Sequence, residues 1–123
     1  MGGLLLMASA LTDWIPLGRE SDFVNGVERR ATLAGLVLVI RLEGRFYAFD
    51  PTCPHGGGDL RRCEPEGSTI SCPLHGWTFD LSRRGHETHG FRGLRTYATR
   101  LRDGTLFVNF DPTIDEVATT SLA

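Results

Sequence analysis

From Leu36 to Leu42 the chain reads Leu-Val-Leu-Val-Ile-Arg-Leu, a nearly continuous apolar and β-branched run. Its length and composition predict a strand buried on both faces. Glu43-Gly44 then turns the chain into Arg45-Phe46-Tyr47-Ala48-Phe49, which completes a hairpin. Ser68–Ser71 and Trp77–Asp80 predict two more short strands. Leu94–Leu101 and Thr105–Phe110 alternate around Asp103-Gly104, a strong hairpin signal. From Gly18 onward no stretch sustains a helical period. Apolar positions thin out over residues 112–123, which predicts a loosely held tail. Many short strands between Gly/Pro turns point to an all-β chain, an antiparallel sandwich or barrel.

The chain has 123 residues, enough for one domain with a modest core. The formal net charge of −2 argues against nucleic acid and against a polybasic membrane-binding surface. Every one of the 13 cationic side chains is arginine, a bias assigned to base composition rather than to function. The run Leu4-Leu5-Leu6-Met7-Ala8 is too short to span a bilayer and has no basic leader, so a cytoplasmic protein is expected. Met7 is an alternative start. With three cysteines no disulfide framework is expected, in keeping with a reducing compartment.

The chemistry lies in two mixed pairs. Cys53-Pro54-His55 and Cys72-Pro73-Leu74-His75 each offer one thiolate and one imidazole, in loops rich in Gly and Pro. Such a set suits a [2Fe–2S] cluster in which two histidines replace two cysteines on one iron. Cys53 and Cys72 would then serve one iron, and His55 and His75 the other. Tetrahedral zinc is the rival, but zinc signatures usually pair Cys with Cys and His with His.

The segments Cys53-Pro54-His55-Gly56 and Cys72-Pro73-Leu74-His75-Gly76-Trp77 resemble the two cluster-binding loops of the Rieske iron–sulfur family. The resemblance implies one Rieske-type antiparallel β-sandwich domain over residues 1–123, with a core at about 13–111. It also implies a small cluster-binding subdomain at about 50–90 and one [2Fe–2S] cluster held by Cys53, His55, Cys72 and His75. High-potential members carry a disulfide between the loops, and a serine and a tyrosine after the second. Here Gly58, Leu74, Trp77 and Phe79 stand in those places. The potential is therefore expected near the negative end of the family's range of about −150 to +300 mV.

That pattern resembles the ferredoxins of bacterial multicomponent oxygenases. It implies a monomeric electron carrier, not itself an enzyme, between a flavoprotein ferredoxin reductase and a terminal oxygenase. The alternative is a Rieske-type small subunit of a nitrite reductase, or another bound redox or regulatory subunit. A terminal oxygenase would need a further domain for a mononuclear iron, and a far longer chain.

Other residues have blander readings. Trp77 is expected to shield the cluster rather than to anchor a partner. Cys63 has no second thiol to resolve it and is read as a partly buried side chain. His86 and His89 form one His-x-x-His, a weak metal signal. Arg61, Arg62, Arg83 and Arg84 are read as a solvated loop face. The second ring nitrogens of His55 and His75 are expected near solvent, at the electron's exit.

Overall fold

The apolar run forms strand β3, Gly35–Leu42, in which Val37, Leu38, Val39 and Ile40 are all buried. Alternation sends these four side chains to two different cores. Val37 and Val39 join Phe23, Leu106 and Val108; Leu38 and Ile40 join Leu60, Ile70, Phe79 and Leu94. Strand β4, Arg45–Phe49, divides in the same way, with Phe46 and Ala48 on the first side and Tyr47 and Phe49 on the second. Glu43 and Gly44 between them both have positive φ, as a tight two-residue hairpin turn requires.

The computed structural model describes residues 14–23, 26–74, 76–88, 90, 92–111, 114 and 119–120. Asp13, the Leu4–Ala8 run, most of residues 112–123, His75 and His89 lie outside them. The remaining strands in chain order are β1 (Ile15–Arg19), β2 (Glu28–Thr32), β5 (Glu64–Glu66), β6 (Thr69–Ser71), β7 (Thr78–Asp80), β8 (His86–Glu87), β9 (Thr96–Arg102), β10 (Thr105–Asn109) and β11 (Thr119–Thr120). One sheet runs β1-β10-β9-β4-β3-β2, with β11 also on β4; the other runs β5-β6-β7-β8. All pairings are antiparallel, and the described residues contain 3-10 turns but no α-helix.

The large sheet curls until its edges meet. Arg30 on β2 donates from Nε to the Leu17 carbonyl of β1 at 3.2 Å, and its guanidinium lies 4.7 Å from the Phe23 ring centroid. The contact covers edge groups that would otherwise pair with other chains. One core fills the inside of this curl. The other lies between the sheet and the small sheet, and it includes Cys53 and Cys72. The apolar side chains that hold the two sheets together thus surround the two cysteines predicted as ligands.

Four strands carry little sequence signal. β1 is broken by Pro16 and Gly18, and its register slips between them. β2 is the charged stretch Glu-Arg-Arg-Ala-Thr at the sheet edge, and β5 is the fully exposed Glu-Pro-Glu. Edge strands need no apolar face, and an edge tolerates proline. β8 is only two residues long. The last hairpin forms around Asp103-Gly104 as expected, but β9 begins at Thr96 rather than Leu94. The Leu94 amide instead donates to the Gly85 carbonyl at 2.9 Å.

Candidate metal centre

Two loops of the same design present the candidate ligands. β4 leads into the first, β6 leads into the second, and β7 leaves it. The Cys53 amide donates to the Gly58 carbonyl at 2.9 Å, and the Cys72 amide donates to the Trp77 carbonyl at 2.7 Å. Each cysteine thus closes its loop onto the residue five positions on. Gly56 (φ 151°), Gly57 (φ 74°) and Gly76 (φ 69°) supply the positive φ values that these closures need. The base of the first loop is pinned by the Thr52–Asp59 bridge and by the Leu60 amide on the Pro51 carbonyl at 3.0 Å.

The loops bring the two thiols together. Cys53 and Cys72 are both 2% exposed, and their side chains lie next to each other, both beside Gly58. Burial pushes the Cys53 thiol above its ordinary pKa, and the neighbouring Cys72 thiol adds to this. The His55 backbone N–H, directed at the Cys53 sulfur, opposes the shift. Such a site disfavours two free thiolates and gains from a cation that neutralises them.

His55 is half-buried, with its ring stacked on Trp77 at 4.3 Å and lying 6.0 Å from Phe79. Its Nε2 is 2.7 Å from the Arg92 carbonyl oxygen. The nitrogen expected near solvent thus makes a surface-exposed hydrogen bond to the backbone. A carbonyl only accepts, so Nε2 is the donor in this contact, which fixes the orientation of the ring. The cause is the backbone at Gly85 and Arg92–Leu94, which reaches the first ligand loop through the Arg92 carbonyl. Gly85 has φ 78°, and a Cβ there would overlap the Leu94 carbonyl; a Cβ on Gly93 would lie 2.8 Å from the Gly85 oxygen. Only glycines allow this backbone approach. Sequence reading missed the Arg92 carbonyl, although Gly85, Gly90 and Gly93 mark the loop that places it.

Trp77 packs against the core that contains both cysteines, which agrees with a shielding role. Phe79 is fully buried. Cys63 is 8% exposed, and burial pushes its thiol up to about 11. His86 is exposed on β8. Its neighbour Glu87 is fully buried and engaged, a polar core residue that no spacing pattern announced.

The donor set fits a binuclear cluster. Two adjacent buried sulfurs with an imidazole beside them suit one thiolate-bound and one histidine-bound iron. Among the described residues no three His, Cys, Asp or Glu side chains gather around a single ion position.

Residues 13–98 match the Rieske [2Fe-2S] domain family. The oxygenase component of 3-ketosteroid-9-alpha-monooxygenase from Rhodococcus rhodochrous is 31% identical over 103 residues, covering 77% of this chain and 27% of that protein. The chain thus spans about a quarter of that relative. Ferredoxin CarAc of Metapseudomonas resinovorans is 34% identical over 70 residues, covering 55% of this chain and 65% of CarAc. Among solved structures, a chain from the complex of reduced oxygenase and oxidised ferredoxin in carbazole 1,9a-dioxygenase gives a TM-score of 0.72 at 23% identity. The match covers 84% of this chain and 98% of that one. The Sphingomonas yanoikuyae B1 ferredoxin gives 0.70 at 22% identity, covering 80% and 99%. At these identities the structures show a shared fold.

Proposed function

Because the chain belongs to the Rieske [2Fe-2S] domain family, we propose that it is a low-potential carrier of single electrons from a flavoprotein reductase to a terminal oxygenase. Family membership implies a Rieske [2Fe-2S] cluster, which when bound takes up and returns one electron. Cys53 and Cys72 are proposed as the thiolate ligands, and His55 and His75 as the imidazole ligands.

The observation that carries the reading is the paired loop closure, which sets two buried thiols side by side next to a carbonyl-held imidazole. Trp77 and Phe79 pack beside the site with rings that bear no hydroxyl, so these two positions supply no hydroxyl donor to a cluster sulfur. Fewer donors leave the added electron less stabilised, which supports a low potential. Ferredoxin CarAc and the ferredoxin structures support a carrier rather than a catalyst. No helix among the described residues is long and apolar enough to cross a membrane. A cytoplasmic, monomeric protein fits this reading.

A second reading follows from the 3-ketosteroid-9-alpha-monooxygenase match, in which this domain is one part of a larger oxygenase component. Iron and acid-labile sulfide analysis of the natural polypeptide separates the two. A carrier holds about two irons per two sulfides, and an oxygenase component holds an additional mononuclear iron. A one-to-one ratio, together with reduction by a flavoprotein reductase, is expected; surplus iron on the same polypeptide would contradict the carrier.

A further inference from the structure

We infer that the cleft between the first ligand loop and β9 docks an acidic face of the redox partner. The inference rests on the electron-carrier reading. The cleft holds about 630 Å³, and its lining includes Cys53 and Pro54 on one side and Arg84, Arg92 and Arg95 on the other. All three arginines are exposed, and Asp50 is the acidic residue among the described lining. A cationic cleft on a chain of net charge −2 is a local feature, not a reflection of overall charge. Exposed guanidiniums recognise carboxylates through paired N–H donors.

The same cleft adjoins the site, since Cys53 and Pro54 of the first loop line it. The His55 ring is joined through its 2.7 Å hydrogen bond to the Arg92 backbone, and Arg92 lines the cleft. A partner held by these arginines therefore stands one residue away from the imidazole. The Gly85–Leu94 backbone contact holds that wall in place. Charge and electronic access coincide, and together they select an acidic partner.

Oxidation of the reduced, cluster-loaded protein by inorganic complexes of opposite charge tests this. One electron passes from protein to oxidant, turning ferricyanide into ferrocyanide or hexaammineruthenium(III) into its ruthenium(II) form. With wild type, the ferricyanide rate should fall as salt rises, despite the net negative charge. R92E/R95E should slow ferricyanide about tenfold at low salt and speed the ruthenium complex, with midpoint and EPR signal unchanged. Both substitutions leave the Arg92 carbonyl in place. The control R45E/R102E makes the same net charge change at the ends of β4 and β9 away from the ligand loops, and should alter either rate less than about twofold. Equal effects from the two pairs, or a ferricyanide rate that rises with salt in wild type, would overturn the docking cleft and leave the carrier intact. A protein that gives an electron to neither oxidant would remove the carrier reading, and the cleft with it.

Discussion

Gly58 stands directly against Cys72: a Cβ on Gly58 would lie 2.8 Å from the Cys72 sulfur. The same Cβ would lie 3.3 Å from the Leu74 Cβ, close to the separation found across a disulfide. The positions that carry cysteines in high-potential relatives therefore face each other here, occupied by residues that cannot be crosslinked. The loops are held instead by backbone closures and by packing against the shared core. Gly58→Ala would press a methyl onto the sulfur of Cys72, a proposed ligand. We predict a stability loss of about 1–3 kcal/mol and reduced iron content, read by thermal unfolding and iron analysis. Full iron content with unchanged stability would show that the sulfur has room to move.

Gly85→Ala is predicted to be more damaging. The substitution meets both an unfavourable positive φ and the Leu94 carbonyl, so the Gly85–Leu94 contact would open and the Arg92 carbonyl beside it would shift from His55. Strain of this kind costs about 1–3 kcal/mol at a single residue. The His55 ring would lose its fixed orientation, and nitrogen-resolved EPR of the loaded protein would report a changed or heterogeneous imidazole signal. A variant with the wild-type spectrum would contradict the clasp.

Asp80 gives the fold a dependence on acid. Burial alone would raise its pKa. The Ser82 hydroxyl at 2.6 Å, the Ser68 hydroxyl at 3.0 Å and the Ser82 amide at 3.0 Å together outweigh burial and hold the carboxyl below its ordinary value. A lowered folded-state pKa contributes stability that is full above the unfolded carboxylate pKa, about 3.9, and is lost as pH falls through the folded value. Asp80→Asn should therefore destabilise at neutral pH by about 0.5–2 kcal/mol, as expected for a lost cap. The gap to wild type should narrow below about pH 4. Thermal melts from pH 3 to 7 check this; a gap independent of pH would contradict it.

Cys63 should be inert while the protein is folded. With its thiol pushed up to about 11 and the side chain buried, little thiolate exists at neutral pH. Iodoacetamide at pH 7.5 is expected to modify Cys63 only after unfolding, as read by mass spectrometry of the loaded protein. The raised pKa contributes stability that is full below the unfolded thiol pKa, about 8.5, and is lost as pH rises through the folded value. Rapid alkylation of the native protein would show that the pocket opens.

The two hairpins and the ligand loops were legible because their signals are local. β3 announces itself through consecutive β-branched residues, and Asp103-Gly104 through its turn chemistry. The Cys/His spacing is written in three residues of the first loop and four of the second. β2 and β5 were hidden because edge strands are free to carry Glu, Arg and Pro. The Arg92 contact was invisible for another reason. It joins residues 37 apart, and a backbone carbonyl makes it, so no side-chain identity records it. The arginine cleft was likewise divided between segments distant in sequence, which made Arg84 read as part of a solvated loop.

A potentiometric titration of the loaded protein, followed by EPR, tests the central claim most directly. The account predicts a rhombic signal that grows on one-electron reduction, with a midpoint near the negative end of the range of about −150 to +300 mV. A midpoint well above zero would contradict a low-potential carrier, and a colourless, EPR-silent protein holding zinc would contradict the cluster itself.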